Sequence, residues 1–370
     1  PAGAEHPHYR RGNRGAALAA GAECNQEATA AITRGALMKR AVFLFIAILV
    51  FVSFLPRSAL AQVPKERERK YLIIGTTSKT VGYMGPWVAK KKGFFEEEGL
   101  NVDIPVLKSS TTAIQALLGG STQFDASSID TMIGAYEKGA QDLEAIGGII
   151  NGATYTLVAA KRFKSFKELK GATIGVSSLT SGATSLLRLM LEKNGLNYPK
   201  DFNLLSVGGT PERFSDLQSE RVDAVLLAAP LSYKAMDMGF SKVGDVFDYV
   251  THYQHSALVV KKSWARENRE SVQRLLRALV RAFQWLHQNR EEAIAFISSE
   301  LKLERPYAEA GWQEYTRSKA WPLKAEIDIE GVKTQIQIWA QREKLTGPLP
   351  TPERYVNESY LKAVHKELAR

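Results

Sequence analysis

From Tyr71 onward the chain alternates between short continuous apolar runs and longer segments with apolar residues on a helical period. Tyr71–Thr76 reads as a buried strand. A helix follows from about Tyr83 to Lys92, with Gly93 as its C-cap. Val102–Val106 is a second strand, Thr111–Leu118 a helix closed by Gly119-Gly120, Phe124–Ser128 a third strand and Ile129–Lys138 the next helix. Ala145–Ile150 and Thr156–Ala160 are two further strands, and Phe166–Lys170 is a short helical turn. At Gly171 the alternation restarts: strand Ala172–Ser177, helix Ala183–Lys193, strand Asn203–Val207, helix Glu212–Glu220, strand Ala224–Leu227 and helix 231–238. Ser256–Lys261 reads as a strand returning from this unit. Val272, Leu275, Leu276, Leu279, Val280, Phe283 and Leu286 then form the stripe of a core-packing helix. Further helices cover about 290–300, 306–317 and 329–343.

Strands that alternate with helices predict an α/β fold with mostly parallel sheets flanked by helices. The α/β unit occurs twice, and the second copy is inserted in the first. Two lobes follow: lobe 1 from 62–160 and 256–370, with the helical C-terminal region, and lobe 2 from 161–255. The crossovers near 161–170 and 251–257 are the expected hinges. Ligands of open parallel sheets sit beyond the carboxyl ends of the strands, so the cleft between the lobes is the expected pocket.

Charge changes this picture little. The chain of 370 residues has a formal net charge of +10, but seven of the Lys and Arg residues and only three acids fall in residues 1–61. Downstream the charges are mixed: Lys90-Lys91-Lys92 is answered by Glu96-Glu97-Glu98. That is a solvated helical face, not a nucleic-acid patch. Met38-Lys39-Arg40, the apolar run Ala41–Leu55 and the A-x-A site ending at Ala61 make a secretory signal peptide over 38–61, cleaved before Gln62. Residues 1–37, rich in Ala, Gly and Arg, read as a disordered upstream extension. The single cysteine, Cys24, lies in that leader. The exported chain therefore offers no disulfide, no thiol nucleophile and no cysteine metal site.

Three stretches carry a family resemblance. Trp87–Val102 contains A-K-K-K-G-F-F-E-E-E-G-L-N-V, which resembles the A-x-x-x-G-[FY]-F-x-x-x-G-L-x-V signature of bacterial solute-binding proteins. Leu169-Lys170-Gly171-Ala172-Thr173-Ile174-Gly175-Val176 resembles their L-K-G-K-x-I-G-V entry to the second lobe. Arg221-Val222-Asp223-Ala224 resembles their G-x-V-D-A segment, with Arg where Gly is usual. Over nearly all of 71–345 the chain is similar to ABC-importer substrate-binding proteins of the nitrate/sulfonate/taurine type, also called the NMT1/THI5-like group. The resemblance implies a periplasmic-binding-protein type II fold, a monomer outside the cytoplasmic membrane, a small-molecule solute and a membrane permease as partners, and no cofactor. Within these motifs Phe94-Phe95 and Asp223 read as structural, the former packing a helix end onto the sheet and the latter anchoring a turn before a strand. The group includes an enzyme branch, the fungal pyrimidine-precursor synthase, which resembles this chain less because its motif is cysteine-rich.

The strand-end loops supply the candidate ligand residues. The chief candidate is Ser177, Ser178, Ser181, Gly182, Ala183 and Thr184, where a strand's carboxyl end meets a helix start. A helix N-terminus has unsatisfied N–H donors and suits an anion; an ordinary Ser/Thr helix cap is the plainer reading. Ser78 follows the first strand, and Tyr83 after it either stacks on a ligand or fills the rim. Ser127 and Ser128 follow the third strand, with Ser128 a cap, a ligand donor or both. Thr210 ends a strand before Pro211 at a helix start. Pro230 and Tyr233 follow the next strand. Lys79 and Arg213 lie near these loops.

Catalytic signals are weak. His252 and His255 lie three apart on chain that is not strongly helical, a poor metal pair. Ser181-Gly182 lacks the G-x-S-x-G elbow, and Gly208–Arg213 lacks the P-loop lysine. No metal site and no catalytic residue are assigned. The expected function is capture of a small polar or anionic solute (sulfonate, nitrate, carboxylate or pyrimidine-like) by lobe closure and delivery to the permease. The alternative is an exported enzyme or ligand-sensing protein on the same fold; a pure interaction protein ranks third.

Overall fold

The computed structural model describes residues 69–369; the upstream extension and the signal peptide read from the sequence lie outside the described residues. The apolar runs form ten strands: β1 (Lys70–Thr76), β2 (Leu100–Asp103), β3 (Phe124–Ser127), β4 (Leu143–Ile150), β5 (Tyr155–Ala159), β6 (Thr173–Val176), β7 (Asn203–Ser206), β8 (Ala224–Ala228), β9 (Ser241–Asp245) and β10 (Ser256–Lys261). They make two five-stranded sheets, β2-β1-β3-β10-β4 and β7-β6-β8-β5-β9. Each sheet with its helices is one lobe.

The two orders are the same topology. In each, three strands pair in parallel and the fourth is antiparallel to both its neighbours: β10 against β3 and β4, β5 against β8 and β9. The sheets are thus mixed, with one reversed strand in each. β4 and β8 are buried along their whole length, as expected for strands covered on both faces.

The reversed strands are the ones that cross between lobes. β5 pairs with Ala224–Ala228 of β8 and so belongs to the second sheet, whereas the sequence reading placed Thr156–Ala160 in lobe 1. The first crossover is therefore 151–154, earlier than the expected 161–170; the second, 246–255, overlaps the expected 251–257. The misreading has a simple cause. Leu157, Val158 and Ala159 are all buried, and a buried apolar run carries no mark of which sheet it joins.

The helices are α1 (Met84–Lys91), α2 (Phe94–Glu97), α3 (Ser110–Leu118), α4 (Ile129–Glu137), α5 (Gly182–Lys193), α6 (Thr210–Gln218), α7 (Leu231–Asp237), α8 (Lys262–Glu267), α9 (Arg269–Gln288), α10 (Arg290–Leu301), α11 (Arg305–Arg317), α12 (Ile329–Arg342) and α13 (Ser359–Leu368). All seven stripe residues of α9 are buried against α1 and the first sheet. Gly93, at φ +80°, ends α1 in the left-handed conformation that glycine adopts without a Cβ penalty. Phe95 is buried beside it. Glu98, read as solvated, instead pairs with Arg277 of α9 at 2.9 Å. Asp223 accepts from the Thr173 amide at 2.8 Å and ties β8 to β6.

Three local differences from the sequence reading are physical. β2 stops at Asp103 and not at Val106, because Pro105 has no N–H for the ladder; only a single bridge, Thr76 to Val106, follows. β9 was not foreseen. It is a half-exposed edge strand reading SKVGD, with no apolar run to find. The amphipathic helix α13 was also missed.

Candidate functional site

The carboxyl ends of the parallel strands in the two sheets face each other. Lobe 1 contributes the loop after β1, with Thr77 and Ser78, then Tyr83, and Ser110 at the start of α3. Lobe 2 contributes Ser177, Ser181 and Ala183 around the start of α5, and Gly209, Thr210 and Arg213 at the start of α6. Tyr155, the first residue of β5, and His255, at the end of the second crossover, close the floor. These residues enclose a cavity of about 20 Å³, room for a water or two. Elsewhere the two walls touch. A Cβ on Gly182 would lie 1.9 Å from Ser128 Oγ of the other lobe, and one on Gly209 would lie 3.1 Å from Ser78 Oγ. Thr111 Oγ1 of lobe 1 meets Ser178 Oγ and Thr180 Oγ1 of lobe 2, each at 3.0 Å.

Arg213 is the feature the sequence reading noted only in passing. It is 2 % exposed. Its Nε donates to Leu226 O at 2.9 Å and its Nη2 to Thr210 Oγ1 at 3.0 Å. Those bonds occupy the Nε–Nη2 edge of the guanidinium, and Arg213 lines the cavity. Among the described residues it makes no ion pair, and no carboxylate lines the cavity. A buried charge without a counterion is costly unless something supplies one. Lys108, exposed at the mouth, adds to the positive field.

Two more buried polar atoms in the same wall lack partners. Ser78 Oγ and His255 Nδ1 make no hydrogen bond, and both residues are 6 % exposed. Native chains rarely leave such atoms unpaired. His255 Nε2 meets Tyr155 OH at 3.3 Å. Burial, and secondarily the nearby Arg213, pushes the His255 imidazole down to about 4, so it is neutral at ordinary pH. Burial also raises the Tyr83 phenol well above its usual value, and its hydroxyl is held by Thr77 Oγ1 at 2.6 Å.

The sequence candidates divide accordingly. Ser78, Tyr83, Ser177, Ser181, Ala183 and Thr210 line the cavity. Ser181 also caps α5, accepting from the Thr184 amide, so the cap and ligand readings of this residue coexist. Thr184 Oγ1 is turned back onto Ser178 O at 2.6 Å. Ser178, Gly182 and Ser128 serve the contact between lobes, and Ser127 is buried at the end of β3, bonded to Ser110 O. Pro230 packs towards Gly311 of α11. Tyr233 points to another cavity, of about 690 Å³, on the crossover side, where its hydroxyl donates to Glu314 at 2.6 Å. Burial raises the Glu314 carboxyl above its usual range. That larger space is lined by Asp245, Asp248, Glu314 and Asp328 together with Lys242 and Lys319, and it shares Tyr155 with the smaller cavity. His252 approaches Asp328 at 3.5 Å while His255 bonds Tyr155, so the two histidines have separate partners. Tyr155 and His255 were missed as site residues because neither lies in a local motif; only the fold puts them on the cleft floor.

This arrangement, two similar α/β lobes with donors converging between them, is that of a two-lobed solute-binding protein. The family model described as NMT1/THI5 like matches residues 81–293, and the chain belongs to that family. A Brucella abortus protein named as a candidate binding protein is 28% identical over 336 residues, covering 87% of this chain and 99% of the relative. Among solved structures, the periplasmic nitrate-binding protein NrtA from Synechocystis PCC 6803 superposes with a TM-score of 0.67 at 15% identity, covering 81% of this chain and 89% of that one. The alkanesulfonate-binding protein SsuA from Xanthomonas axonopodis pv. citri, bound to MOPS, gives 0.63 at 18% identity, covering 78% and 99%. The fold is therefore that of the periplasmic binding proteins, and these relatives carry binding-protein names. No helix among the described residues is long and apolar enough to cross a membrane.

Proposed function

We propose that the chain is the extracytoplasmic solute-binding component of an ABC importer. It captures a small organic anion between its lobes by hinge closure at 151–154 and 246–255, and delivers it to a membrane permease. The observation that carries the reading is Arg213: a buried guanidinium lining the interlobe cavity, with no ion-pair partner among the described residues and no carboxylate in that cavity. The hydroxyls of Ser78, Ser177, Ser181 and Thr210 complete a neutral donor set around it. Neutral donors hold an anion with less attraction than a second cation, which favours release when the lobes part. The binding-protein relatives and the importer components among the structural neighbours support the transport context.

The test is a thermal-shift screen of anions followed by titration calorimetry and small-angle scattering. A ligand at 100 times its Kd raises stability by about 2.7 kcal/mol, and the bound form has the smaller radius of gyration. Arg213→Gln removes a hydrogen bond to a charged ligand and weakens binding by about 1.5–3 kcal/mol, roughly tenfold or more in Kd. A chain stabilised by no anion, or an Arg213→Gln variant of unchanged affinity, refutes the reading.

A further inference from the structure

Resting on that anion reading, we infer that the solute is a ring-bearing monoanion: an aromatic or heteroaromatic ring carrying one carboxylate or sulfonate and a polar ring substituent. The chemistry of the cavity is divided. Its cationic side is Arg213 on α6, with Thr210 and the hydroxyls at the start of α5. Its other side is aromatic. Tyr83 comes from lobe 1, Tyr155 from the start of β5 and His255 from the second crossover.

These rings are held in place. His255 stands edge-on to Tyr155, with centroids 5.1 Å apart and planes at 84°. Tyr253 stacks behind His255 at 6.2 Å. Tyr83 is 3 % exposed and tied to Thr77. Arg213 itself lies 5.7 Å from the centroid of the Tyr155 ring. A small inorganic oxyanion would satisfy Arg213 and leave the aromatic side covered by nothing of its own kind. A ring fills it, because aromatic faces and edges pair favourably at such distances.

The unpartnered atoms fix the third requirement. Ser78 Oγ and His255 Nδ1 are each at least nine-tenths buried and lack a hydrogen bond. They line the same cavity as the rings, Ser78 Oγ facing Gly209 across it and His255 beside Tyr155. A hydroxyl or ring nitrogen on the solute would pair with them, whereas an unsubstituted ring would leave both unsatisfied. The cavity as it stands is too small for a ring, so the solute enters with the lobes apart and sets the separation at which they close.

The experiment is calorimetric titration of the full chain with benzoate, the three hydroxybenzoates, nicotinate, benzenesulfonate, ethanesulfonate, nitrate and thymine. The expected result is that at least one substituted aryl anion binds about tenfold or more tighter than ethanesulfonate and nitrate, and tighter than benzoate. Carboxylate against sulfonate within the aryl set identifies the headgroup. His255→Phe, which keeps a ring and removes Nδ1, should weaken binding of the substituted ring more than binding of benzoate, so that the ratio of the two affinities falls towards one. Ethanesulfonate or nitrate binding as tightly as every aryl anion overturns this inference and leaves the anion reading standing. Thymine binding more tightly than every anion, or no anion binding at all, overturns both. The panel on the unmodified chain decides the matter even if a variant misfolds.

Discussion

Gly182→Ala is the sharpest perturbation of the interface between the lobes. Gly182 is the first residue of α5, and an added Cβ would sit 1.9 Å from Ser128 Oγ and 2.8 Å from Ser128 Cβ. The hydroxyl can turn away. The Cβ cannot, because it is fixed to the backbone just ahead of α4. Within lobe 2 alone the substitution is favourable, since Ala is better than Gly in a helix by about 0.5–1 kcal/mol. Its whole cost therefore falls on the approach of the two lobes. Overpacking of this kind costs about 1–3 kcal/mol, which shifts the closure equilibrium towards open by a factor of about 5 to 150. Apparent ligand affinity falls by up to the same factor, because only the closed fraction holds the solute on both sides.

With ligand near the native Kd, small-angle scattering should show a larger radius of gyration for Gly182→Ala than for the native chain, and calorimetry should show the weaker affinity. The control is Ser128→Gly combined with Gly182→Ala, which moves the small residue to the other side of the contact. If the clash is the cause, the double variant regains closure and affinity, and the coupling energy is of the order of the clash itself. Native dimensions in Gly182→Ala, or a double variant no better than the single one, would refute the argument.

Other outcomes follow from buried charges and from the leader. Arg342→Ala leaves Asp130, 1 % exposed, without its cation at 3.1 Å; because Arg342 is itself about a quarter exposed, the loss in urea unfolding should be near the low end for such pairs, about 3 kcal/mol, and a loss under about 0.5 kcal/mol contradicts it. Burial raises the Asp125 carboxyl to about 8, so the folded chain keeps a proton that the unfolded chain releases near pH 4. Its share of stability is greatest below pH 4 and declines by up to about 1.4 kcal/mol per unit towards pH 8. Asp125→Asn should therefore gain on the native chain steadily from pH 5 to pH 8 in thermal melts, and parallel pH curves would exclude the effect. N-terminal sequencing of exported protein should read Gln62 first; a start upstream of Met38 would overturn the signal-peptide reading.

Much of the architecture was legible because both lobes repeat one pattern of apolar runs and helical stripes. The stripe of α9 and the Gly93 cap were readable residue by residue, since each depends on local spacing or on a backbone angle that only glycine takes easily. Sheet membership was not. Tyr155–Ala159 is as apolar as any strand of lobe 1, and only its pairing with β8 assigns it. The site was partly legible for the same reason. Hydroxyls at strand ends announce themselves by position, so Ser78, Ser177, Ser181 and Thr210 were found. Arg213 looks from sequence like any charged residue on an amphipathic helix, and its burial comes from a bond to Leu226 O in the neighbouring strand.

The loop before α5 shows how far a local reading carries. A helix start rich in hydroxyls suggested an external oxyanion, and an anion is indeed there. It is Asp130, from the first turn of α4 in the other lobe. Ser185 Oγ in the first turn of α5 donates to Asp130 Oδ2 at 2.6 Å, and Arg342 of α12 reaches both, at 2.6 Å to Ser185 and 3.1 Å to the carboxylate. When the lobes meet, the starts of α4 and α5 come together at Ser128 and Gly182, and each carries partial positive charge. Asp130, in the first turn of α4, accepts from Ser185 of α5 and pairs with Arg342. Ser185 and Asp130 thus join the lobes only while these two helix starts are in contact. The solute is left the inner part of the cleft, where Ser177, Ser181 and Arg213 face Ser78 and Tyr83. One helix start serves two purposes: its outer turn fastens the lobes through a carboxylate of the chain itself, and its inner edge forms part of the wall around the solute.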